Sequence, residues 1–215
     1  MKTNLATAKG AEPRGAPRRK HKRRTQEERS ATTRRRLIEA AVECLNDLGY
    51  LEATVEVVAA RAGVSRGAVQ HHFGSRNDLL IAVVEDFGEA LSQIEPIDRH
   101  LQPSKRVSAA IDLTWELVRS RHFIAVLQIW IATCKIPEVV DATSKAIALM
   151  ERRLDRRWQA LFAELPVPPG RIAVARHIVL ATLRGLALRN LYRKGQAPVG
   201  EEIAMLKAMV TAAFS

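Results

Sequence analysis

Arg66, Gln70, His71 and His72 crowd one short segment of a 215-residue chain. Their groups make hydrogen bonds rather than covalent intermediates. A guanidinium offers a rigid fork of donors, a carboxamide sets a donor beside an acceptor, and an imidazole brings a donor or a charge. At helical spacing these groups suit the major groove of DNA, where Arg pairs with the two acceptors of guanine and Gln with adenine. Gly67 and Ala68 keep the start of such a helix small, and Ser65 can cap it.

The residues around them supply the scaffold. Thr54 to Arg76 reads TVEVVAARAGVSRGAVQHHFGSR, two short helices joined by the turn Ala62-Gly63-Val64-Ser65. Gly63 can adopt positive φ and end the first helix, while the Ser65 hydroxyl meets the free N–H groups of the second. Val55, Val58, Ala59 and Ala62 line one face of the first helix. Val64, Val69 and Phe73 give the second an inner edge, which turns Arg66, Gln70, His71 and His72 elsewhere. This is helix-turn-helix punctuation.

Other chemistries find little support. Adjacent residues on a helix point about 100° apart, and no Cys, Asp or Glu completes a set around His71-His72, so no metal site is expected. GxSxG, HExxH, a Gly-rich phosphate loop and paired carboxylates on one core face are all missing, which argues against an enzyme; no cofactor is expected. Cys44 and Cys134 sit in apolar helical patterns without CxxC spacing and read as buried reduced thiols, with a redox or electrophile sensor open for Cys134. Apolar runs stop well short of a membrane span, and no apolar segment follows the basic start as a signal peptide requires, so the expected location is cytoplasmic.

Charge is concentrated at one end. The formal net charge is +11, and residues 1–36 carry 13 Lys/Arg against 3 Glu, leaving 21 basic and 20 acidic residues for the rest. A polyanion meets this end first, because neutralising phosphates releases counterions. Residues 1–24, with the run Arg18 to Arg24 and almost nothing apolar to bury, read as a disordered basic tail.

From Thr25 the pattern is helical throughout. Thr25 and Glu28 have capping-box spacing, and Leu37, Ile38, Ala41, Val42, Leu45 and Leu48 form an apolar stripe ending at Gly49. Ser75 to Asp78 offers another cap, from which Leu79, Leu80, Val83, Val84, Phe87 and Leu91 carry a fourth helix outward as a bridge. Beyond Pro103 the stripe Val107, Ile111, Trp115 and Val118 marks a fifth. Phe123 to Cys134 is apolar nearly all round and belongs in a core. After Pro137 a long helix places Arg152, Arg153, Asp155, Arg156 and Arg157 on a solvated face. Ile172 to Tyr192 and Ile203 to Phe214 make two more, joined by a loop at 194–198. The expected fold is all-α, about nine helices, divided into a tail at 1–24, a helix-turn-helix DNA-binding domain at 25–76 and a ligand-sensing and dimerisation bundle at 77–215.

At these residues the chain resembles the TetR-type bacterial transcriptional regulators. The match runs from about Arg35 to Phe87 and covers Ala40-Ala41, Gly49-Tyr50, Thr54, Val58-Ala59, Ala62-Gly63-Val64-Ser65, Gly67, Phe73 and Leu79-Leu80 without a gap. The resemblance implies a homodimer on a palindromic double-stranded operator in the bacterial nucleoid, released when a small molecule enters the C-terminal domain. It also implies that Arg66, Ala68, Gln70 and His71 face base edges or nearby backbone and that Thr54 and His72 hold phosphates. Arg76 stands where the family usually has a phosphate-binding Lys. Gln70 stands where many members have Tyr, so an amide able to read adenine replaces a hydroxyl.

Two further surfaces follow from composition. Trp115, His122, Phe123, Gln128, Trp130, Cys134, Met150 and Trp158 mix aromatic and polar groups and could line a cavity for an apolar or aromatic effector of modest size. The last two helices are apolar on more faces than one core needs. Leu180, Leu183, Leu186, Leu191, Ile203, Leu206 and Val210, with Gly185 allowing close approach, are the expected four-helix dimer interface. The competing function is a constitutive or architectural DNA binder driven by the basic tail, with no effector.

Overall fold

The computed structural model describes residues 25–192 and 198–214; the basic tail at 1–24 and, of the loop expected at 194–198, residues 194–197 lie outside the described residues. Among the described residues the chain is all-α with no strand. Its helices are α1 (Gln26–Leu48), α2 (Val55–Ala62), α3 (Arg66–Phe73), α4 (Arg76–Ser92), α5 (Pro103–Val118), α6 (Arg121–Thr133), α7 (Pro137–Leu161), α8 (Pro169–Tyr192) and α9 (Gly200–Ala213).

Local chemistry sets most boundaries. The Glu28 N–H donates to the Thr25 hydroxyl at 3.2 Å and the Thr25 N–H to the Glu28 carboxylate at 2.9 Å, a reciprocal capping box. Ser65, Ser75 and Ser120 cap α3, α4 and α6 with the hydroxyl alone, each accepting the backbone N–H three residues on. Pro starts α5, α7 and α8, where its missing N–H costs nothing. That is why α8 begins at Pro169, before the Ile172 start expected from periodicity. Gly63 ends α2 with φ 64 and ψ 39, and a Cβ there would lie 3.2 Å from the Arg36 guanidinium, which donates to the Ala62 carbonyl at 2.5 Å.

One apolar cluster runs from Leu37 to Phe214. α1 enters it only at Leu37; its earlier turns project as an exposed, Arg-bearing stalk, with Thr33 alone half-buried. α4 is the hub of the fold, packed on α1, α3, α6 and α7. α6 joins the two ends of the molecule: Arg121 pairs with Asp47 at 2.7 Å, and the Phe123 ring lies 5.8 Å from that of Phe87 on α4.

Three side chains depart from the sequence reading. Arg157 is half-buried, donating Nη1 to the Leu91 carbonyl at 3.0 Å and Nη2 to that of Ile94, so α7 holds the end of α4. Asp155 accepts from the buried Arg176 at 2.5 Å rather than facing solvent. Cys134 is exposed because α6 ends there, whereas Cys44 is buried and its thiol pKa is pushed up by that burial.

Candidate nucleic-acid interface

α3 has two sides. Val69 and Phe73 are buried against the rest of the helix-turn-helix, while Arg66, Gly67, Gln70 and His71 share an exposed face at spacings of one, three and four. Ser65 stands at its head with the hydroxyl accepting the Ala68 N–H at 3.2 Å. Arg66 is 76% exposed, paired at 3.0 Å only with the exposed Glu56 of α2. Such a pair is worth little in water and exchanges readily for a phosphate or a base edge. The N-terminal stalk of α1 adds exposed Arg29, Arg34, Arg35 and Arg36 to the charge of this end.

Not every residue expected here shares that face. Ala68 is half-buried on its flank. Thr54 caps α2, accepting the Val57 N–H at 3.3 Å, which leaves its hydroxyl proton to donate. His72 is half-buried beside His71 and Arg34, and burial first, then those two neighbours, lowers its pKa, so it stands neutral at pH 7. Arg76 is the clearest departure. Its Nε donates to the Ala53 carbonyl at 3.1 Å, its Nη2 to that of Tyr50, and the guanidinium lies 4.3 Å from the Tyr50 ring centroid. Arg76 ties α4 to the loop between α1 and α2 instead of reaching outward.

The residues expected to line an effector cavity are dispersed. Trp115, His122, Gln128, Trp130 and Met150 are half-buried on three different helices, and Cys134 is exposed. His122 lies 3.3 Å from Asp86 of α4. Of the eight only Trp158 borders the partly open cavity of about 140 Å³ between the 94–99 segment, α5 and α7, whose walls include Ile94, Leu113, Thr114, Leu117, Leu154 and Arg157. Phe123 and Trp130 share one neighbour, the guanidinium of Arg184, which sits 5.6 and 5.5 Å from their centroids.

At the dimer face the phase of the helices differs from expectation. Leu183, Leu186, Ile203, Leu206 and Val210 are buried in the chain's own core, and Leu180 is half-buried. The face that α8 and α9 leave open consists of Val174, Ile178, Gly185, Leu188, Met205 and Met209. Leu191, also exposed, and Gly185 are the only expected residues outside the core.

Residues 37–83 match the family model of bacterial regulatory proteins, tetR family. The regulator CymR of Pseudomonas putida is 27% identical over 181 residues, 80% of this chain and 86% of its own. BetI of Cronobacter sakazakii, another helix-turn-helix-type transcriptional regulator, is 30% identical over 165 residues, 73% of this chain and 78% of its own. The chain belongs to the TetR family. A transcriptional regulator from Rhodococcus sp. Rha1 has the same fold, with a TM-score of 0.64 at 23% identity over 84% of this chain and 95% of that one. The protein is therefore a DNA-binding transcriptional regulator of the TetR family, not an enzyme.

Within this TetR-family chain the sequence reading missed the stalk of α1, Arg157, the buried Arg176 and the half-buried Arg184. A signal existed for the last two. They lie eight apart on α8, inside a run of Ile, Val, Leu and Ala that otherwise reads as buried. Long cationic side chains in such a run need a partner.

Proposed function

We propose that the protein is a homodimeric regulator that represses by binding a palindromic operator and is released by a small ligand held within residues 77–215. The exposed polar face of α3, Arg66, Gly67, Gln70 and His71, carries this reading. It is a donor-rich stripe with no intramolecular purpose beyond one weak ion pair. Residues 25–76 read the DNA, and the basic tail and α1 stalk add sequence-independent affinity. The open face of α8 and α9 has the size and apolar character to pair with its copy as a four-helix interface. Two α3 helices then enter successive major grooves about 34 Å apart. The ligand acts through α4, whose far end is tied to α7 by Arg157. By linkage, operator weakens ligand binding by the factor with which ligand weakens operator binding. Selection of bound sequences from random duplexes tests the reading: a two-fold symmetric motif is expected, and enrichment of no motif contradicts it.

A further inference from the structure

Arg176 is 3% exposed on α8, and its Nε donates to Asp155. Its Nη1 and Nη2 are buried and find no hydrogen-bond partner among the described residues. The same is true of Arg184 Nε, two turns further along α8, and of Trp130 Nε1 on α6. Arg184 lies 5.5 Å from the Trp130 ring and feels the Arg176 charge through space, so these four donor nitrogens share one region and find no hydrogen-bond partner among the described residues. A buried donor left unmet forfeits its hydration with nothing in return, at greater cost when charged, so a cluster of them describes a missing partner.

The charges say what partner. Asp155 balances Arg176. Arg184 has no salt-bridge partner among the described residues; burial lowers its pKa, while the exposed Glu151 acts on it only through space. One positive charge is left over. The surroundings say what the rest of the partner is: Arg184 lies over the Phe123 and Trp130 rings, and Trp130, Ile147, Met150 and Leu180 remain half-buried. α6 packs on α1, α4 and α5, while α7 and α8 pack on each other, so the seam between α6 and the α7–α8 pair is spanned by side chains. The 140 Å³ cavity is the weaker candidate, because two of the three Arg157 donor nitrogens already hold carbonyl oxygens.

We infer that the seam between α6, α7 and α8 is the effector site and that its ligand is a monocarboxylate with an aromatic or short alkyl body. The carboxylate oxygens accept from the free Nη groups of Arg176 and from Arg184 and Trp130 Nε1, a charge-assisted arrangement suited to a guanidinium fork. The body lies against Trp130, Met150 and Leu180. Phe123, beneath Arg184, touches Phe87 of α4, and Asp155 shares α7 with the Arg157 that holds the end of α4. The site therefore borders the helix that must move. The assignment of class rests on the proposed effector response, but binding is tested without DNA.

The test uses the full chain and a panel of benzoate, phenylacetate and hexanoate, each beside its primary amide. Carboxylates well above Kd are expected to raise Tm by roughly 5–10 °C, with the amides inert. Arg184→Met should weaken carboxylate binding by at least about tenfold, the loss of one charge-assisted contact, while its ligand-free Tm is unchanged or higher, since an unbalanced buried charge is gone. Arg176→Gln should behave likewise in binding. Equal shifts from amides, undiminished binding to Arg184→Met, or no shift from any carboxylate overturns the site. Operator affinity is read separately. Carboxylate binding that leaves operator affinity unchanged keeps the site and removes the effector role; release by a neutral compound without carboxylate binding does the reverse.

Discussion

Arg157 of α7 donates Nη1 to the carbonyl oxygen of Leu91, 3.0 Å away, at the last turn of α4. The end of a helix leaves its final carbonyls without intrahelical partners, and here a second helix supplies the donor. A movement of α7 is therefore transmitted to α4, and α4 begins at Arg76, beside the DNA-reading module.

Replacing Arg157 with Leu should lower the free energy of unfolding by about 1–3 kcal/mol, the cost of withdrawing a charged donor from part-buried carbonyls. Urea denaturation with an unchanged slope checks this. A change below about 0.3 kcal/mol would mean the contact is incidental.

Arg66 and Arg76 should separate cleanly. Arg66→Ala removes an exposed group and leaves stability within about 0.5 kcal/mol, yet loses roughly 1–3 kcal/mol of affinity at particular base pairs. Arg76→Ala should destabilise the fold by about 1–3 kcal/mol, because the Ala53 and Tyr50 carbonyls lose their donor. Melting curves alongside operator titrations distinguish the two; unchanged stability in Arg76→Ala would return that residue to a phosphate-binding role.

His72 predicts a pH dependence. Its pKa in the folded chain is lowered from the ordinary 6.5, mainly by burial. Well above 6.5 it is neutral both folded and unfolded and contributes no slope. Below 6.5 the unfolded chain takes up the proton first, so stability falls as pH falls. A phosphate beside the ring favours the protonated imidazole, so operator binding should take up a proton at His72 and strengthen as pH falls. His72→Gln should flatten both slopes, measured by denaturation and by binding at several pH values. Slopes equal to wild type would clear His72 of either role.

The open face of α8 and α9 gives a prediction about assembly. Ile178→Glu or Met205→Glu, at positions 51% and 64% exposed, should yield folded monomer by light scattering with helical circular dichroism intact. Leu183→Glu, at a fully buried position, should unfold the chain instead. Dimers that persist in both exposed-face variants would place the interface elsewhere.

Local signals were legible in the sequence where the physics is local. Thr25 with Glu28 and Ser75 with Asp78 each close a hydrogen bond within three residues, the Gly63 N–H bonds back to α2 and the Ser65 hydroxyl accepts from Ala68, so composition and spacing reveal the caps. Which face of α8 turns inward was illegible. Leu183 and Leu188 differ by five positions in a helix apolar on nearly every side, and only packing against α5 and α7 buries one and exposes the other. Arg76 and Arg157 were misread for a related reason. Their long stems bring the charge back to carbonyls in the α1–α2 loop and at the end of α4, far away in sequence. The exposed face of α3 was legible because it lies within eight consecutive residues, whereas the C-terminal side chains meet across several helices.

The central claim is that two copies of α3, held at a fixed separation by the α8–α9 pairing, read one operator. Titrating the selected operator against the same sequence with about five base pairs inserted between its half-sites tests it most directly, since half a helical turn puts the two grooves on opposite faces of the duplex. The account predicts a loss of affinity of at least about a hundredfold, toward the non-specific level. Equal affinity for both spacings would contradict it.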